Sequence, residues 1–263
     1  MPRLFDFNLF QWWRARKSAA IQIPDALWTA TESALPFLHR LNATERLRLR
    51  QLAHEFIAAK QWTGAQGLPL TPEIQLTIAL QACLPILNLG LEWYADWVGI
   101  VVYPGDFVVQ RQVVDEDGVV HEFADELVGE AWDGGPVVIS WFAHPDDLSD
   151  INAHNNTHHI NAVIHEFSHK LDMRSGAADG MPPLHAGMSK RAWISSFSNA
   201  FDDFQQRVDL GAPTKLDPYA AEHPAEFFAV ASEAFFETPE ILKSAYPEVY
   251  AQLALFYRQN PAG

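Results

Sequence analysis

The chain carries at residues 160–172 the sequence INAVIHEFSHKLD, which constrains the architecture more than any other segment. Its apolar residues recur at the three- and four-residue spacing of a packed amphipathic helix: Ile160, Val163, Ile164, Phe167 and Leu171. His165 and His169 are four residues apart, so they lie one above the other on a different stripe of the same helix. The segment therefore predicts a helix that packs on a core and presents two imidazoles side by side.

The polar residues of this helix form the pattern His-Glu-x-x-His, which is typical of metallopeptidases. Two imidazoles one turn apart can hold one zinc ion, and Glu166 can take a proton from the water without ligating the metal. The five-residue pattern is short, so much of the evidence for a metal site comes from the amphipathic helix that contains it. Two further His-Glu pairs, His54-Glu55 and His121-Glu122, lack the second histidine, and we interpret them as structural.

A zinc hydrolase needs a third protein ligand and one open position. The metzincin continuation of the motif is absent, because Asp172 and Ser175 stand where Gly and His would follow. Residues 217–233, DPYAAEHPAEFFAVASE, offer candidates: Glu226 and Glu233 are seven residues apart and project along one face of a predicted helix. Such a face is either solvated or directed at a cation, and the spacing alone leaves both open.

The rest of the pattern predicts the fold class α+β, with a helical N-terminal part, a small central sheet and a helical C-terminal half that carries the active-site helix. Helical periodicity covers residues 42–60 and 72–93, and strands are predicted at 98–103, 107–114, 119–123 and 137–141. We divide the chain into an N-terminal arm, residues 1–40, and a single domain, residues 41–263.

Composition excludes several functional classes. The chain has 263 residues with 18 Lys+Arg against 33 Asp+Glu, and a net charge of -15 argues against nonspecific nucleic-acid binding. The acidic excess is either an ordinary solvated surface or a face around a cation site. Cys83 is the only cysteine, which excludes a thiolate zinc cage. With no signal peptide and no apolar run of membrane-spanning length, we predict a cytoplasmic protein without a membrane partner.

The runs HEFSHKLD and DPYAAEHPAEFFAVASEAFF closely resemble the Mlc titration factor A family of glucose-regulated zinc metallopeptidases. LPILNLGLEW, VVYPGDFVV and GPVVISW extend the likeness from about residue 40 to the C-terminus, and the catalytic domain of anthrax lethal factor is more distantly similar. The resemblance implies a zincin-like fold and an aminopeptidase-like activity on peptides. It also implies one zinc ion held by His165, His169 and Glu226, with Glu166 as the general base and Tyr219 as the donor to the oxyanion.

The same resemblance implies a protein partner, the glucose-related transcriptional repressor Mlc, which the family sequesters from DNA. The alternative to a peptidase is therefore a non-catalytic protein that sequesters a repressor, with a structural or vestigial zinc site. A purely structural metal site with four protein ligands is a weaker option. The basic N-terminal region is a candidate docking surface.

Several residues around the motif have open roles. Asp172 either orients a ligand imidazole or caps the helix end, and Glu233 could accept a proton from a ligand histidine. The predicted strand 137–141 could be an edge to which an extended peptide adds. A segment at 154–159 either ligates a second metal or is a polar loop; its histidines are His154, His158 and His159.

Overall fold

A computed structural model describes residues 23–105, 107–114, 120–127, 129–132, 134–141 and 161–263. Its helices are α1 (Asp25–Ser33), α2 (Ala43–Ala59), α3 (Pro72–Cys83), α4 (Ala162–Asp172), α5 (Lys190–Asp209), α6 (Pro224–Glu237), α7 (Pro239–Ala245) and α8 (Pro247–Tyr257). Its strands are β1 (Gln61–Gly64), β2 (Gly99–Pro104), β3 (Phe107–Val114), β4 (Val120–Leu127), β5 (Gly129–Ala131) and β6 (Val137–Trp141). Short 3-10 turns cover Pro36–Arg40, Ala65–Gly67, Leu91–Tyr94, Met173–Ser175 and Pro218–Ala221.

The central sheet has the order β1-β2-β6-β5. Its first three strands are parallel, and the three-residue strand β5 is antiparallel to β6. β3 and β4 form a separate antiparallel hairpin. The described residues thus form a helix-rich α+β structure with a small sheet in the middle of the chain, as predicted.

Local sequence signals explain most element boundaries. Asn42 caps α2 through a capping box with Glu45, and Thr71 caps α3 just before a proline at its first position. The predicted helix over 72–93 is wrong in its second half. α3 ends at Cys83, because Pro85 lacks an amide hydrogen and restrains the residue before it, and a 3-10 turn at 91–94 follows.

The predicted strands at 98–103, 107–114, 119–123 and 137–141 correspond to β2, β3, β4 and β6. The interpretation of 137–141 as a sheet edge is wrong, since β6 pairs with β2 on one side and β5 on the other. Among the strands that the structure describes, β5 occupies this edge instead. The reason is tertiary: β5 is too short to be read from periodicity, yet its pairing covers the outer side of β6.

The hydrophobic core runs from the N-terminal helices to α8 and surrounds α4. Residues 23–40, grouped with the arm in the predicted division, contribute Trp28, Leu35 and Leu38 to that core. The arm boundary stays a prediction, and residues 1–22 and the histidines of 154–159 lie outside the described residues. Within the described part of the chain, every helix is too short or too polar to cross a membrane.

Candidate metal centre

The helix α4 is held rigidly because it is buried along most of its length. Asn161 caps it by accepting a hydrogen bond from the amide of Ile164 at 3.0 Å. Phe167 inserts into an aromatic cluster, with ring centroids 5.6 Å from Phe56 and 5.3 Å from Tyr94. This packing fixes the rotation of the helix, so the stripe that carries the two histidines faces α6.

Three side-chain atoms converge between α4 and α6. His165 Nε2 lies 3.0 Å from Glu226 Oε2, His169 Nε2 lies 3.3 Å from the same oxygen, and the two nitrogens are 3.1 Å apart. Among the described residues, these three form a cluster of metal-ligating side chains, and both histidines are buried. The two segments singled out from the sequence therefore meet at one point.

The donor set fits a metal ion of the zinc class. Ligands about 2.0 to 2.1 Å from a tetrahedral zinc are about 3.3 Å from each other, close to the distances found here. Two imidazole nitrogens and a carboxylate oxygen are also all acceptors when deprotonated, so their mutual contact needs shared protons or a cation. The three side chains could hold a metal ion, and three protein ligands is the number typical of catalytic zinc sites.

Glu233 lies behind this cluster, two helical turns after Glu226. One of its oxygens is 2.7 Å from His165 Nδ1, and the other accepts the backbone amide of Asn161 at 2.7 Å. A carboxylate on Nδ1 fixes the imidazole tautomer and directs Nε2 at the metal position. A solvated face is therefore wrong for Glu233, which is buried, whereas Glu226 is partly exposed and faces the two imidazoles.

The charged groups of the cluster shift the pKa values of one another. Burial opposes protonation of His165, but hydrogen bonds to Glu226 and Glu233 outweigh it and raise the pKa of the imidazole well above its usual range. Burial also disfavours the charged form of Glu226, yet the two imidazoles lower the pKa of this carboxyl. A metal ion would hold the deprotonated imidazoles, so protons and metal compete for the same atoms.

Glu166 stands beside the cluster and is buried, and burial raises the pKa of its carboxyl. Its side chain lies against Gly129 of the edge strand β5. A Cβ added at Gly129 would lie 2.5 Å from both Cγ and Oε1 of Glu166. Glycine is therefore required at this position for β5 to approach the carboxylate so closely, a requirement that the sequence pattern did not reveal.

An open cavity of about 260 Å³ adjoins the cluster. Its lining residues from three parts of the chain are Gly129, Ala131, His165, Glu166, His169, Met173, Ala178, Tyr219, His223, Ala225 and Glu226. Tyr219 is half-buried, with its ring centroid 6.0 Å from that of His165. Its position follows from Asp217, whose carboxylate accepts the amide of Tyr219 at 2.9 Å and starts the 3-10 turn before α6.

His223 was not predicted to be at the site. It caps α6, and its Nδ1 accepts the amide of Ala225 at 3.2 Å while the ring lines the cavity. Its place directly before Pro224, a residue that favours the first position of a helix, could have indicated that His223 caps the helix next to the site.

Asp172 neither contacts a ligand imidazole through a hydrogen bond in the described structure nor caps α4. Its Oδ2 instead accepts the amide of Gly180 at 2.7 Å and so holds the following loop. Burial outweighs this hydrogen bond and raises the pKa of Asp172 to about 6. Lys170, next to His169, is buried and donates to the backbone oxygens of Trp132 and Gly135, in the turn between β5 and β6.

A buried helix with two histidines one turn apart and a carboxylate from a second helix is the arrangement of a metallohydrolase centre. The family model for glucose-regulated metallo-peptidase M90 matches residues 9–258. The chain therefore belongs to the glucose-regulated metallo-peptidase M90 family.

Named relatives point the same way. The chain is 36% identical over 259 residues to Mlc titration factor A of Yersinia pestis strain Pestoides F, covering 96% of this chain and 91% of the relative. Mlc titration factor A of Yersinia pseudotuberculosis, in the strains IP 31758 and YPIII, gives the same identity and coverage. The resemblance inferred from HEFSHKLD and the 217–236 segment is thus confirmed at the level of the family.

Proposed function

We propose that this protein is a cytoplasmic, zinc-dependent peptidase with a zincin-like site and aminopeptidase-like activity. One zinc ion is held by His165, His169 and Glu226. The observation that carries the proposal is the convergence of these three ligating atoms, 3.0 to 3.3 Å apart, beside a buried carboxylate and an open cavity. Membership of a metallo-peptidase family supports it.

The chemistry that a zinc ion supplies when bound is Lewis acidity, which makes water nucleophilic near neutral pH and polarises a carbonyl oxygen. Glu166 is the general base in this proposal. Its burial favours uptake of the proton that the attacking water must lose, and the carboxylate can then pass this proton to the leaving amine. Gly129 and β5 hold it in place from the other side.

Tyr219 is the proposed donor to the oxyanion. It lines the same cavity as Glu166, and negative charge develops on the carbonyl oxygen as the water adds. A phenol that donates a hydrogen bond to this oxygen stabilises the transition state more than the ground state. β5, the edge strand on the cavity wall, is where an extended peptide backbone can lie by strand addition.

The test replaces Glu166 with Gln, which keeps the size of the side chain and removes the base. We expect the variant to bind zinc with wild-type affinity, to unfold at the same urea concentration within error, and to lose hydrolysis of a quenched fluorescent peptide pool. Glu55→Gln is the matched control, since the same substitution falls on an exposed position of α2. Turnover by Glu166→Gln at the wild-type rate would refute the mechanism.

The substrate class is tested with free and N-acetylated forms of the same peptides. An aminopeptidase-like enzyme cleaves the free forms and loses activity on the blocked forms. Equal cleavage of both would replace the aminopeptidase part of the proposal by an endopeptidase.

A second candidate function is regulation of a glucose-related repressor by protein binding. The relatives carry the name Mlc titration factor A, which favours an Mlc-like repressor as a partner of this chain. Binding of purified Mlc repressor to wild type and to Glu166→Gln separates the two activities. Equal binding by both proteins means that sequestration does not need hydrolysis; loss of hydrolysis with retained binding is the result we expect.

A further inference from the structure

Asn161, the residue before α4, makes four hydrogen bonds, three through its side chain and one through its backbone amide. Its Oδ1 accepts the amide of Ile164 at 3.0 Å, and its own amide donates to Glu233 at 2.7 Å. Its Nδ2 donates to Gln81 Oε1 at 2.9 Å and to Glu237 Oε1 at 2.7 Å. One residue therefore joins the start of α4 to α3 and to two successive turns of α6.

The bond from Asn161 to Glu233 leads directly to the metal cluster. The two oxygens of Glu233 are divided between the Asn161 amide and His165 Nδ1, both at 2.7 Å. The direction of His165 Nε2 therefore depends on the orientation of a carboxylate whose second oxygen is held by Asn161. The backbone amide of Asn161 is in turn held in place by the hydrogen bonds that the side-chain Nδ2 donates to Gln81 and Glu237.

We propose that Asn161 is a positioning residue of the metal centre, which fixes Glu233 and through it the ring of His165. This inference rests on the proposed function, because it concerns the affinity of the same centre for zinc. The competing explanation is that Asn161 merely caps α4. The two differ in the atoms involved: capping needs Oδ1, whereas positioning also needs the Nδ2 bonds to Gln81 and Glu237.

Asn161→Ser separates these roles, since serine keeps an oxygen that can cap the helix but has no counterpart of Nδ2. We expect its zinc affinity, measured by competition with a fluorescent chelator at pH 7.5, to fall about tenfold or more, the usual effect of losing an outer-shell partner. Ser189→Ala is the matched control for a lost cap. It removes the cap of α5, where the Ser189 hydroxyl accepts the amide of Ala192 far along the chain from the centre.

A second pair of variants, at Glu237, tests the hydrogen bond from Asn161 Nδ2 from the side of its acceptor. This pair keeps the proposal testable if Asn161→Ser does not fold. Glu237→Leu removes the acceptor of the Asn161 Nδ2 bond, and Glu237→Gln keeps an acceptor oxygen in its place. Positioning predicts weakened zinc binding for Glu237→Leu and near wild-type binding for Glu237→Gln, a rescue that general destabilisation would not give.

The outcomes are distinguishable. Wild-type affinity within twofold in Asn161→Ser, or equal loss in Ser189→Ala, overturns the positioning role and leaves the proposed function standing. Equal affinities of the two Glu237 variants have the same meaning. Failure of the wild-type protein to bind zinc overturns both proposals.

Discussion

Replacing Gly129 with Ala probes how closely β5 and the Glu166 carboxylate must fit. The added Cβ would lie 2.5 Å from Glu166 Cγ and Oε1, whereas such atoms normally approach to about 3.5 Å. Relief of the contact therefore requires a displacement of about 1 Å. Glu166 is 5% exposed, so the surrounding side chains resist this movement.

We expect two effects of Gly129→Ala. Displacement of a catalytic group by about 1 Å costs about a hundredfold in rate, so kcat on the peptide pool should fall by that factor. Overpacking should lower the free energy of unfolding by about 1 to 3 kcal/mol. Zinc affinity should stay within about twofold of wild type, because Glu166 is not a member of the ligand cluster.

The assay combines kcat and KM on the peptide pool, zinc competition and urea unfolding. Gly135→Ala is the matched control: its Cβ would lie 2.9 Å from Cβ of Trp132, so it introduces a clash in the turn between β5 and β6, and no atom of Glu166 is among those it would meet. In the background Glu166→Ala, which lacks both contacting atoms, the stability cost of Gly129→Ala should largely vanish. A Gly129→Ala enzyme within threefold of wild-type kcat, or one that loses zinc in step with activity, would show that the contact does not position the base.

Two further predictions concern the oxyanion and the loop after α4. Tyr219→Phe should lower kcat about a hundredfold while zinc affinity and KM stay near wild type; steady-state kinetics with zinc competition check this, and a change confined to KM would contradict the role. Asp172→Asn should alter the pH dependence of stability. The pKa of Asp172 is raised from 3.8 to about 6 in the folded state, so the folded protein binds more protons and wild-type stability falls as pH rises through this window. Asparagine keeps an oxygen for the Gly180 amide and cannot ionise. The free energy of unfolding of the variant, relative to wild type, should therefore rise by up to about 3 kcal/mol between pH 4 and pH 7, as measured by urea unfolding. The same pH dependence of stability in both proteins would contradict this.

Residues whose roles depend on local spacing were predictable from the sequence. His165 and His169 share a helix face because they are four residues apart, and the structure brings Glu226 to them from the second segment that the sequence singled out. The bounds of β3 and β6 are equally local, since they follow from short runs rich in valine next to turn residues.

Residues whose roles depend on distant partners were not predictable. Gly129 gives no sign in the sequence of its contact with Glu166, and the hydrogen bond from the Gly180 amide to Asp172 differs from both roles that the sequence predicts for Asp172. The sequence interpretation of VVISW as an edge strand is wrong for β6. The three residues of β5 cover it through backbone pairing that no short apolar run reveals.

The amino-acid sequence alone therefore predicted the α+β class and the pairing of His165 with His169, because helix periodicity acts over a few neighbouring residues. Its resemblance to a known family supplied the family and Glu226, on a distant helix, as the third candidate ligand. Only the tertiary structure established how the centre is supported: Glu233 and Asn161 behind His165, and β5 against Glu166. These contacts join residues far apart in the chain, and their geometry depends on how α3, α4 and α6 pack together.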